Sequence, residues 1–156
     1  MIYYRNDVPG SGVNSGALIA TAQTLLGALG EDVSSLSLSL VGDAAIRALN
    51  RQHRGVDSAT DVLSFSIDAE AVGAVADGAA PERMLGDVVI SIDTARRQAA
   101  GYDATLQNEL YRLLIHGMLH VVGHDHEEAE PREAMEREER RLAGTIALPW
   151  PYARVR

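Results

Sequence analysis

The stretch Asp61-Val62-Leu63-Ser64-Phe65-Ser66-Ile67 reads as a β-strand, and Leu85 to Ile92 reads as another. Residues 68–83, rich in Ala, Gly, Asp and Pro without a clear period, are expected to form a mobile loop between them. Elsewhere strands and helices alternate, which alone would suggest a parallel sheet. The hairpin-like pairing of these two strands is antiparallel, so the sheet is predicted to be mixed. The expected fold class is α+β: a single domain over residues 1–156, a small mixed β-sheet packed with helices.

Working outward, residues 1–5 form a short first strand. Residues 14–29 carry Leu18, Ile19, Ala22, Leu25, Leu26 and Leu29 in a helical stripe that Gly30 stops. Residues 35–41 alternate strictly, placing Leu36, Leu38 and Leu40 on one face of a strand. Asp43 is read as the N-cap of a helix through about residue 52 that buries Ile46 and Leu49. Asp93 is read as the cap of a short helix ended by Gly101, and Thr105 as the cap of the next. That helix buries Leu106, Leu110, Leu113, Leu114 and Val121. A last helix is expected from Pro131 to Gly144, well capped and solvated, its acidic start and Arg140–Arg141 end complementing the helix dipole.

Composition narrows the function. A chain of 156 residues is long enough to bury a sizeable core, and it has no cysteine, which removes disulfides, thiolate metal sites and thiol nucleophiles. The first residues lack a signal peptide's apolar core and no apolar run approaches a membrane span, so the expectation is a cytoplasmic protein with no membrane partner. The net charge of −8 is local. Residues 125–139 hold eight acids against Arg132 and Arg137, a net of −6, which leaves −2 for the rest. All 14 basic residues are arginine, a planar fork suited to phosphate or a mark of genomic base composition.

Four of the five histidines lie within residues 116–126, His-Gly-Met-Leu-His-Val-Val-Gly-His-Asp-His. His116 and His120 differ by roughly 40° around a helix, so they point from one face and can share a metal ion. On a straight helix His126 would lie roughly 15 Å from His116. Gly123 removes that objection, because glycine takes the left-handed conformation that ends a helix and turns the chain back. Three neutral imidazoles suit zinc and leave a fourth position for water, a hydrolytic arrangement. The metal site is thus expected on a central helix and the turn after it.

This spacing matches two families. The metzincin peptidases carry His-Glu-x-x-His-x-x-Gly-x-x-His, but Gly117 stands where they need a glutamate general base. The stretch also resembles the signature of the YbeY family, bacterial metal-dependent endoribonucleases of ribosomal RNA maturation. Three further segments agree, in the family's order: Leu49-Asn50 with His53-Arg54, Thr60-Asp61-Val62-Leu63-Ser64-Phe65, and Leu85-Gly86-Asp87-Val88-Val89-Ile90-Ser91. Arg97-Gln98-Ala99 and the spacing of Met135 to Glu138 and Glu139 match as well. The departures are Ala59 for the usual proline, and His53 and His124 for tyrosines. His124 is either an extra ligand or proton shuttle, or one ring replacing another.

The resemblance implies one zinc(II) ion held by His116, His120 and His126, with His116 and Arg54 as catalytic residues. The implied activity is single-strand-specific endoribonuclease cleavage in maturation of the 3′ end of small-subunit ribosomal RNA and in ribosome quality control. The implied partners are ribosomal RNA and the ribosome or its small subunit with assembly proteins. The chemistry is coherent for a phosphodiester: a metal activates water and polarises a phosphoryl oxygen, and Arg54 would stabilise the charge that develops. Asp61 is read as structural. Arg47, Arg51, Arg54, Arg96 and Arg97 are candidates to line one cleft. Alternative readings are a zinc hydrolase of another substrate, peptides included, and a non-catalytic ribosome-associated metalloprotein.

Overall fold

Alternation of serine and leucine in the second strand sets up the sheet, because it gives one face to leucine and the other to hydroxyls. The computed structural model describes residues 1–67, 83–124 and 129–150, with 129 and 130 as backbone only. The order is β1 (Ile2–Asn6), α1 (Ser15–Ala28), β2 (Ser34–Val41), α2 (Asp43–Arg54), β3 (Val62–Ser66), β4 (Arg83–Ser91), α3 (Ile92–Gly101), α4 (Leu106–Val121) and α5 (Ala129–Thr145). The sheet runs β1-β2-β4-β3, with β1, β2 and β4 parallel and β3 antiparallel to β4. The expected mixed sheet and α+β class are therefore observed. The expected loop lies, from 68 to 82, outside the described residues, and Arg83 already belongs to β4.

One face of the sheet meets the main core. Leu36, Leu38 and Leu40 of β2 and Val88 and Ile90 of β4 pack with Leu18, Ala22, Leu25 and Leu26 of α1 and with the apolar residues of α4. Each such leucine, fully buried, contributes about 1.5–3 kcal/mol. The opposite face carries a smaller cluster of Val41, Leu63 and Val89 under Ile46 of α2, flanked by Leu49 and Phe65. Helices α4 and α2 thus cover opposite faces of the sheet. Period-2 alternation along β3 is the cause: Ser64 turns toward α4 while Leu63 and Phe65 turn toward α2.

Two capping assignments are corrected by the fold. Asp43 is the first residue of α2, whose N-cap is Gly42, and Ser91, not Asp93, caps α3 by accepting from the Thr94 amide. The aspartates are exchanged between helices. Asp93 accepts from the Asp43 amide at 2.9 Å, while the Asp43 carboxylate accepts from Ser91, Thr94 and Arg97. Parallel β2 and β4 deliver both helix starts to the same end of the sheet, so each first turn reaches the other's side chain. Partial burial raises the Asp43 carboxyl, but the hydrogen bonds from Ser91, Thr94 and Arg97 outweigh it, and the pKa lies below the ordinary value. A depressed folded-state pKa gives stability that is present above the ordinary carboxylate value and lost as pH falls toward the folded one. Urea denaturation between neutral and acid pH is expected to show a shallower acid loss for Asp43→Asn than for the unaltered protein.

Gly30 ends α1 with φ of 74°, as expected. Helix α5 departs from its expectation in two ways. It begins at Ala129, with Pro131 inside its first turn, where a missing N–H breaks no intrahelical bond. It is also not simply solvated: Met135, Leu142 and Ala143 are in the core and Glu139 is buried.

Candidate metal centre

Thr105 caps α4 by accepting from the Asn108 amide at 3.0 Å, as its position before the apolar run predicts. The buried surface is wider than a single stripe. Ile115, Met118 and Leu119 are buried along with Leu110, Leu113, Leu114 and Val121, so the helix is enclosed on most sides. His116 and His120 occupy the flank left half-buried.

Two features hold that flank in place. Gly117 lies directly on the sheet: a Cβ there would stand 2.8 Å from Cγ1 of Val88 and 3.2 Å from Oγ of Ser64. The close approach lets the Ser64 hydroxyl donate to the Gly117 carbonyl, and the Ser66 hydroxyl to that of Val121, both at 3.1 Å. Gly117→Ala is expected to lower stability by up to about 2 kcal/mol in urea denaturation. Overpacking costs about 1–3 kcal/mol, of which roughly 1 is offset by better helix propensity. The glutamate found here in metzincins would have to displace Val88.

The helix then ends as the sequence predicts. Gly123 has φ of 104°, its amide bonds the His120 carbonyl at 3.0 Å, and the His124 amide bonds that of Leu119 at 2.9 Å. This is a Schellman closure, with glycine at its left-handed position. His124 takes part through its backbone.

The two helical histidines converge. Nε2 of His120 lies 3.1 Å from Nε2 of His116, with ring centroids 4.6 Å apart. Zn–N bonds of about 2.0–2.1 Å at a tetrahedral angle place two nitrogens roughly 3.3–3.4 Å apart, so this pair fits one ion. On its other side, Nδ1 of His116 lies 3.3 Å from Oε2 of Glu139 on α5. An ionised carboxylate only accepts, so in this contact Nδ1 of His116 is the donor, and Nε2, on the side of His120, is the nitrogen that would face a metal. Among the described residues no group of three or more metal-ligating side chains assembles. His126, expected as the third ligand, lies outside them.

Glu139 is the functional candidate that sequence reasoning did not assign. Its only signal was its place in the family-like spacing of the last helix, since a contact across 23 positions has no local signature.

Arg54 is the last residue of α2, exposed, on the helix that covers the opposite sheet face from α4. Its neighbour His53 packs its ring on Phe65 of β3, with centroids 5.0 Å apart. Thus β3 carries the Arg54 end of α2 on one face and the histidine helix on the other. Of the five arginines expected to line one cleft, Arg47 and Arg51 line one shallow surface hollow of about 260 Å³. Arg47 pairs with Asp57 beside a surface hollow of about 410 Å³, Arg97 pairs with Asp43, and Arg96 donates to the Ser11 carbonyl. Nearby carboxylates and carbonyls take up these guanidiniums. Asp61 accepts from the Val62 amide and from Gln98, a structural role as read from the sequence.

A buried ionic network braces the same flank. Glu109, fully buried, accepts two hydrogen bonds from Arg112, one turn before His116. Arg112 also donates to Gln98, which donates to Asp61, and its guanidinium lies 5.8 Å from the Tyr102 ring centroid. Burial lowers the Arg112 pKa, but Glu109 and, more weakly, Asp61 and Tyr102 raise it above the ordinary value. The Arg112 guanidinium stays charged.

The fold and the paired imidazoles together define an α+β protein with two histidines of one buried helix aimed at a single point. A model of the endoribonuclease YbeY family matches residues 13–147. The endoribonuclease YbeY of Pelotomaculum thermopropionicum is 44% identical over 135 residues, spanning 86% of this chain and 87% of the relative. That of Moorella thermoacetica is 45% identical over 130 residues, 81% of each chain. That of Myxococcus xanthus is 52% identical over 109 residues, 70% of this chain and 35% of the relative. The solution structure of a Thermotoga maritima protein superposes with a TM-score of 0.57 at 25% identity, covering 94% of this chain and 92% of that one. The chain belongs to the endoribonuclease YbeY family. No helix among the described residues is long and apolar enough to cross a membrane.

Proposed function

We propose that this protein is a zinc-dependent endoribonuclease of single-stranded RNA, acting on the 3′ end of small-subunit ribosomal RNA and in ribosome quality control. The observation that carries the metal reading is the convergence of His116 and His120 through their Nε2 atoms, backed by Glu139. These two residues and His126 would hold one ion; when bound, it supplies an activated water and polarises a phosphoryl oxygen. The RNA reading rests on the family and on the activity its members are named for. In this reading Glu139 keeps the His116 proton on Nδ1. Arg54, exposed and without a hydrogen bond or ion pair among the described residues, donates to the non-bridging phosphoryl oxygens as charge grows there. Ribosomal RNA and the small subunit with its assembly proteins are the partners, in the cytoplasm.

The test is incubation of the purified protein with single-stranded RNA and with casein, each with and without a chelator. RNA cleavage is expected, lost with chelator and in His116→Ala, with casein intact. In cells carrying Arg54→Ala, end-mapping is expected to show unprocessed small-subunit RNA. Normal 3′ ends there would overturn the role of Arg54, and chelator-resistant cleavage would overturn the metal.

A further inference from the structure

Strand β3 is an edge of the sheet, and its hydrogen-bond register decides which backbone groups face outward. The Ser91 amide bonds the Asp61 carbonyl at 2.9 Å and the Ile67 amide bonds the Leu85 carbonyl at 3.0 Å. These are the two ends of one antiparallel ladder in which Leu63 faces Val89 and Phe65 faces Asp87. Hydrogen-bonded and non-hydrogen-bonded pairs alternate in such a ladder. Leu63 and Phe65 therefore spend their amides and carbonyls on β4, while those of Val62, Ser64 and Ser66 point away from the sheet. The Val62 amide is already taken by its neighbour's carboxylate, at 2.8 Å. Among the described residues, what remains at the open edge is the C=O of Val62 and the N–H and C=O of Ser64 and of Ser66, the two serines about 6.8 Å apart along the strand.

These two residues are also the ones that hold the histidine helix. Their hydroxyls donate to the carbonyls of Gly117 and Val121, each the residue immediately after a candidate ligand, His116 or His120. On the other face, Phe65 supports His53, next to Arg54. The open edge therefore runs between the histidine pair and the candidate phosphate-binding arginine.

We propose that the β3 edge positions the RNA strand, the outward backbone groups of Ser64 and Ser66 hydrogen-bonding ribose 2′-hydroxyls beside the scissile phosphate. This rests on the endoribonuclease reading above. A 2′-hydroxyl both donates and accepts, so it pairs with either backbone group, and deoxyribose offers neither. An added peptide strand fits less well, because the Asp61 side chain occupies the Val62 amide and, among the described residues, leaves only Ser64 and Ser66 with both backbone groups open. The groups that recognise ribose are main-chain atoms, which a side-chain inventory does not reveal.

Proline at an outward-facing amide removes the edge donor without breaking a bond to β4, as edge strands tolerate. Ser64→Pro and Ser66→Pro also lose the hydroxyl, so Ser64→Ala and Ser66→Ala, which keep the amide, are the controls. Thermal unfolding of each variant is compared with its alanine control. The prolines are expected to raise KM for single-stranded RNA by roughly 3- to 10-fold over those controls, the scale of one lost hydrogen bond, with kcat retained. A single 2′-deoxy substitution beside the cleaved bond should raise KM similarly in the unaltered protein and add nothing in the matching proline variant. Equal KM for proline and alanine variants, or additive effects, would overturn the proposal. Should a proline variant not fold, hydrogen exchange of the Ser64 and Ser66 amides in the unaltered protein decides. Slowing by oligouridylate and not by oligodeoxythymidylate, in a pulse taken before turnover, is expected. Equal slowing by both, none by either, or slowing only by an extended peptide would overturn it. Failure of the unaltered protein to cleave RNA at all would instead overturn the endoribonuclease reading.

Discussion

Arg112→Ala protein is expected to lose about 3–5 kcal/mol of stability, because truncation leaves the fully buried Glu109 carboxylate without its partner. In a domain of this size that is a fall of roughly 6–20 °C in Tm. The cost comes from stranding a charge and not from losing an attraction, so the double variant Glu109→Leu/Arg112→Met should be more stable than either single truncation. Calorimetry of the four proteins checks both statements. A single truncation costing under about 1 kcal/mol would show that the pair is not desolvated as its burial indicates. The network also joins α4 to α3 and to the start of β3 through Gln98 and Asp61. Its loss should therefore loosen the helix one turn before His116.

Glu139→Ala is expected to weaken zinc binding by about 10- to 100-fold, the usual consequence of removing the carboxylate behind a metal-binding imidazole. Without that acceptor, the His116 proton is free to move to Nε2, the nitrogen that faces His120. Glu139→Gln keeps an acceptor oxygen and should retain most of the affinity. Competition with a chromophoric chelator at fixed pH measures this directly, independently of any RNA assay. Unchanged affinity in Glu139→Ala, with the fold intact, would show that the contact does not orient His116.

The parts legible in the sequence are those governed by local rules. Gly123 announced the helix end and does take the left-handed turn, and Thr105 announced the start of the same helix. The spacing of His116 and His120 placed them on one face, and the two rings do meet. The strands at 61–67 and 85–92 foretold the antiparallel pair. Capping aspartates were misassigned for an equally physical reason. A local rule gives each carboxylate to its own helix, whereas parallel strands bring two helix starts within reach and the carboxylates exchange.

Gly117 shows the division most clearly. As a letter, it meant only the absence of a glutamate base; in the fold, it is the point where α4 rests on Val88 and Ser64, with no room for a side chain. By itself the sequence determined the strands, the helices, the glycine ends of α1 and α4 and the histidine spacing, because backbone sterics and hydrophobic periodicity act over a few residues. Only the tertiary structure decided that Glu139 stands behind His116, that Arg112 protects a buried charge, and which backbone groups of β3 face outward. Those depend on which surfaces pack together and in what register, and segments distant in the chain settle that jointly.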